Sequence, residues 1–131
     1  MRNKKWLLIQ AVFPLALGAC IYLLFRNTTI ISSTVLLQHT ESGYLPPGWV
    51  IYNLPDFLWL YSLFASLTYL WMHSSQATLR AYIFSGFICA SLSEVLQKFK
   101  LLFGTFDPFD LLFYLFALVL FWLINSKLFK T

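Results

Sequence analysis

The stretch WLLIQAVFPLALGACIYLLF, residues 6–25, runs for twenty residues without a charge, and it decides the class of fold. At about 1.5 Å of rise per residue a helix of this length covers about 30 Å, the thickness of a bilayer's hydrocarbon core. Arg2, Lys4 and Lys5 precede it and Arg26 follows it, while Pro14 and Gly18 are expected to kink it. Three further apolar stretches lie at about 54–72, 79–97 and 109–124. The polar turn His73-Ser74-Ser75-Gln76 separates the second from the third. Residues 98–108, with Gly104 and Pro108 as breakers, separate the third from the fourth. The pattern predicts an all-α, polytopic membrane protein: four transmembrane helices in a single integral membrane domain over 1–131.

Composition agrees with that reading. Of 131 residues, 60% are hydrophobic, 20% aromatic and 11% charged, whereas soluble domains carry about 25% charged residues. The net charge of +4 forms no basic block with interleaved aromatics, so nucleic acid is not an expected partner. Cys20 and Cys89 both fall inside apolar runs and read as small buried hydrophobes. Residues 27–53 are too polar and β-branched at first, then too rich in turn residues, to span; they read as an ordered outer loop between helices one and two.

Lys and Arg set the orientation. With both termini inside, Arg2, Lys4, Lys5, Arg80, Lys127 and Lys130 are cytoplasmic, and only Arg26, Lys98 and Lys100 are outside. This bias favours N-in, C-in. It places Glu41, Asp56, Glu94, Asp107 and Asp110, all the carboxylates of the chain, on the extracytoplasmic side.

Charges at the ends of helices in lipid are costly and face a cavity, a partner or a site. Only thirteen residues separate Arg80 from Glu94 and sixteen separate Asp110 from Lys127, so both acids are expected at or just below the outer boundary. Glu94 and Gln97 share a helical face, which Gly86 and Ala90 continue as a path for close helix approach. Asp107-Pro108-Phe109-Asp110 has the form of a helix start: an N-cap, a proline at the first helical position and an acid at the third. Asp56, after Pro55, reads the same way at the start of the second span. The candidate pocket is Glu94 and Gln97 at its core, with Asp56, Asp107 and Asp110 around it and Lys98 at its rim. No cofactor is implied. A hard divalent cation such as Mg²⁺ or Ca²⁺ is the one metal this donor set suits, and Lys98, Lys100 and Arg26 could supply the same counter-charge. No nucleophile pairing and no phosphate-cradling glycine loop is present.

Glu94-Val95-Leu96-Gln97, a short loop, and then Gly104-Thr105-Phe106-Asp107-Pro108-Phe109-Asp110 opening a last helix resemble the VanZ-like family of small bacterial membrane proteins. Leu54-Pro55-Asp56-Phe57-Leu58-Trp59 resembles the start of the second helix in related proteins, so the likeness covers about half the chain. Where the family loop often carries an arginine, this chain offers Lys98 and Lys100; where the last helix often carries an asparagine, it has aromatics including Tyr114. The resemblance implies a location in the bacterial cytoplasmic (inner) membrane, in the context of the cell envelope. The expected function is binding of an envelope lipid or glycolipid head group, or of a compound at the membrane surface. The alternative is an accessory or structural subunit docking a larger membrane protein complex. Catalysis, with Glu94 as a general base, is a third class with no named nucleophile beside it.

Overall fold

The computed structural model describes residues 4–25 and 46–129. Among them are four long helices and no strand: α1 (Lys4–Phe25), α2 (Gly48–Leu70), α3 (Gln76–Lys98) and α4 (Pro108–Ile124), followed by a 3-10 turn, Ser126–Leu128. The expected outer loop falls largely on 26–45, outside the described residues. Two helices, α1 and α3, are long and apolar enough to cross a membrane; α4 is apolar but has only 17 residues.

The second helix departs from expectation. It begins at Gly48, not near Leu54, so the stretch 48–53 is helix and Pro55 lies two turns inside it. An interior proline costs about 3 kcal/mol, because it lacks an N–H and crowds the carbonyl four residues back. Packing offsets that cost here: Ile51, Asn53, Pro55, Phe57 and Leu58 are all buried. Asp56 is therefore a mid-helix side chain and not a cap.

Helix α2 is the centre of the bundle, packed against α1, α4 and α3. Gly18 lets α1 lie directly on it, since a Cβ there would stand 2.8 Å from the Trp59 indole. The Ser62 hydroxyl donates to the Ala11 carbonyl across the same contact. Gly86 brings α3 onto α2 at Leu63, Phe64 and Leu67. Phe64, Leu79, Ile83, Ala117 and Phe121 close the core. At the end of the bundle away from the acids, Tyr61 donates to Gln10 Oε1 at 2.6 Å, and Asn125 Nδ2 donates to the same oxygen at 3.0 Å. This buried network ties α1, α2 and the end of α4 together. Arg80 donates to the Phe129 carbonyl at 2.7 Å.

The outside of the bundle is apolar. Phe13, Leu70, Ile88, Leu112, Phe116 and Leu123 are each more than half exposed. In their most apolar stretches, only 28% of α1 and 17% of α3 is buried against the described residues. Cys20 and Cys89, expected as buried, are also exposed on this face.

Two helix ends set up the acidic end. Asp107 caps α4 by accepting from the Phe109 N–H at 2.9 Å, with Pro108 at the first helical position. Helix α3 ends in a Schellman pattern: Leu101 N–H donates to the Leu96 carbonyl at 3.0 Å and Lys100 N–H to the Gln97 carbonyl at 2.9 Å. The left-handed residue of that motif is usually glycine, yet here it is Lys100, at φ 58°. Replacing it with glycine relieves the strain of a Cβ in this conformation. Lys100→Gly is expected to stabilise the protein by about 0.5–1 kcal/mol, read as a raised melting temperature in detergent. An unchanged or lower value would count against this helix ending.

Candidate functional site: an acidic cavity between three helix ends

Because α2 and α4 start, and α3 stops, at the same end of the bundle, side chains distant in sequence meet there. They line a cavity of about 310 Å³. Helix α2 contributes Tyr52 and Asp56; α3 contributes Ser93, Glu94 and Gln97; the following loop contributes Gly104, Thr105 and the cap Asp107; α4 contributes Asp110 and Tyr114. Five of the six candidates from the sequence, Asp56, Glu94, Gln97, Asp107 and Asp110, stand around this one space. The sixth, Lys98, does not. It is exposed on the outside of the turn, with its ammonium 5.3 Å from the centre of the Phe106 ring. The next helix position after Gln97 points about 100° away from it, which removes Lys98 from the wall Gln97 lines.

Asn53, expected in the loop before α2, organises the acids. Its side-chain amide donates to Asp107 Oδ2 at 3.1 Å and to Asp110 Oδ1 at 2.7 Å. Two ionised carboxylates accept only, so the amide nitrogen must be the atom facing them. Asp107 is thereby used twice, one oxygen capping α4 and the other bound to Asn53. With Asp110 Oδ1 held by Asn53, the simple capping role expected for that acid is superseded by a cross-helix one.

Glu94 is only 4% exposed. Tyr114 donates to its Oε1 over a long 3.4 Å, and the backbone of Asp107 lies beside the same carboxylate. Its other oxygen, Oε2, is buried without a hydrogen bond among the described residues. A buried carboxylate oxygen with no donor is costly, and it marks a place where a bound donor would be favourable. Gln97 is fixed from behind by Gly104. A Cβ at that glycine would stand 2.7 Å from the Gln97 side-chain carbon, and its φ of 135° suits glycine alone.

Among the described residues the lining holds four carboxylates, four hydroxyls and a carboxamide, and no Lys, Arg or His. Anions are disfavoured in such a space, while ammonium and hydroxyl groups are favoured. Among the described residues no group of three or more His, Cys, Asp or Glu is placed to hold a metal ion. Ser93, Thr105, Tyr52 and Tyr114 went unnoticed as candidates in the sequence. The one available signal was spacing: Tyr52 and Asn53 precede Asp56 by about one helical turn, a relation visible only once that segment is known to be helix.

Comparison of the chain with protein-family models, with curated proteins and with solved structures returned no match.

Asn53→Leu keeps the side chain's size but removes the shared donor, leaving Asp107 and Asp110 to repel. A stability loss of about 2–3 kcal/mol is expected, together with loosening of the start of α4. Chemical denaturation and hydrogen exchange at residues 107–112 would read these. Wild-type stability with unchanged exchange would show that the bridge does not hold the cavity.

Proposed function

We propose that the chain is a VanZ-like multi-pass protein of the bacterial inner membrane, in which all four helices cross the bilayer and both termini are cytoplasmic. It binds an envelope lipid or glycolipid head group at its extracytoplasmic end. Two helices long and apolar enough to span, and an outer face of exposed Phe, Leu and Ile, support the membrane setting. A soluble protein would hide such surface. The Lys and Arg bias supports the orientation. The short α4 fits a bilayer thinned locally at the acidic end, where Asp110 and Glu94 sit below the ends of the longer helices.

The single observation that carries the binding reading is the cavity, which gathers Asp56, Glu94, Gln97, Asp107 and Asp110 into one polar space of ligand-pocket size. The exclusion of Lys98 from its wall narrows the ligand. An anionic head would meet carboxylates with no counter-charge from the described residues, so a cationic or hydroxyl-rich head is the better fit.

Native mass spectrometry of protein released gently from membranes tests this. Wild type should retain an amphiphile, and Glu94→Gln should lose it while remaining folded, with affinity down at least about tenfold, or about 1.4 kcal/mol. Co-purification of a stoichiometric membrane protein in place of a lipid would favour the accessory-subunit alternative. Topology has its own test: a cysteine placed at Ser42 should react with a membrane-impermeant reagent from the periplasm, and one at Thr131 should not. The reverse pattern would overturn the orientation.

A further inference from the structure

The acidic cavity has a neighbour. A second, apolar cavity of about 200 Å³ is lined by Asp56, Trp59, Leu60, Leu63, Ala90 and Tyr114. Asp56 and Tyr114 belong to both, so the two spaces share a wall and follow one another down the bundle. The reason for the second space lies in how α2 and α3 separate. They touch at Gly86, where a Cβ would be 3.4 Å from both Leu63 and Leu67. One turn nearer the acidic end, at Ala90, they no longer close on each other, and the gap between Ala90, Leu63 and Trp59 is the groove. The small-residue face that reads in the sequence as a helix seam closes on α2 at Gly86 and lines the groove at Ala90. Trp59 and Leu63 are each 42% exposed, so the groove opens sideways onto the apolar outer surface.

A polar chamber joined to a laterally open apolar groove has the shape of an amphiphile. The polar chamber contains an inward-facing, 4% exposed Glu94 whose Oε2 lacks a donor among the described residues, and none of the described basic side chains lines it. We infer that the two cavities form one site for a lipid with an ammonium-bearing head. The head's N–H groups bind Glu94 and Asp56, and one hydrocarbon chain lies in the groove along Trp59, Leu63 and Ala90. The inference rests on the binding reading above and specifies its ligand: charge of the head, and a chain held by the protein and not by bulk lipid. Asp56 stands at the junction, where the first polar atoms of the head meet the chain. Lateral opening lets such a lipid enter from the bilayer without leaving it.

Quenching of tryptophan fluorescence by brominated chains separates the parts of this claim. The full-length protein is placed in phosphatidylcholine nanodiscs containing a few mole per cent of a dibrominated stearyl amine. Parallel samples carry the same brominated chain on a phosphate or on an alcohol. The amine should quench well beyond the phosphate and the alcohol, and unbrominated alkylamines should compete better as their chains lengthen. Ala90→Leu, which fills the groove without touching the acidic cavity, should reduce the excess quenching at least about fivefold, and Asp56→Asn should reduce the preference for amine over alcohol. Competition by short amines equal to that of long ones, with Ala90→Leu silent, would overturn the groove and leave the head-group pocket standing. Equal quenching by amine and alcohol would overturn the ammonium assignment alone. No excess quenching by any head would remove the binding reading itself. The chain-length series uses only wild type, so the groove remains testable if Ala90→Leu does not fold.

Discussion

The side-chain amide of Asn53 donates to Asp107 and Asp110 at once, and the acidic end of the molecule depends on that bridge. Without it, two carboxylates at the start of α4 would face a third and a fourth across a poorly solvated space, and their repulsion would push the helix ends apart. With it, the start of α4 is tied to the second turn of α2. Asp107 can then cap its own helix with one oxygen and join two helices with the other. Glu94, Gln97 and Tyr114 are brought to the same space because α3 and α4 are fixed relative to α2.

The two ends of the bundle handle burial of polar groups differently. At one end, Gln10, Tyr61 and Asn125 form a closed network in which a single carboxamide oxygen accepts from two donors at 2.6 and 3.0 Å. Such a network fixes the packing of α1, α2 and α4. At the other end, Glu94 keeps an oxygen without a donor among the described residues, and the side chains surround open space. The difference between the two polar clusters is open space: side chains fill one, and a cavity lined by carboxylates lies within the other.

Several features were legible in the sequence because they are local. Four helices form where apolar runs between charges predict them, and Asp107-Pro108 starts the last one by short-range capping. Glu94 and Gln97 share a face through helical spacing alone. Pro55 and the turn-rich residues before it argue locally for a helix start near residue 54, and burial of Ile51, Asn53 and Pro55 against the bundle overrides that preference. Lys98, expected at the rim as a counter-charge, is not in the cavity wall, because adjacent helix positions point in different directions.

The sequence by itself determined the helical class, the apolar lengths, the charge bias between the two ends and the residue types that end each helix. All of these act over a few residues, through backbone hydrogen bonding and hydropathy. Only the tertiary structure decided that Asn53 joins residues 54 and 57 positions away, that Lys98 stays outside, and that α2 and α3 part at Ala90 to leave a groove. Those outcomes depend on how whole helices cross and pack. The energies that settle them come from contacts between segments, which no local pattern encodes.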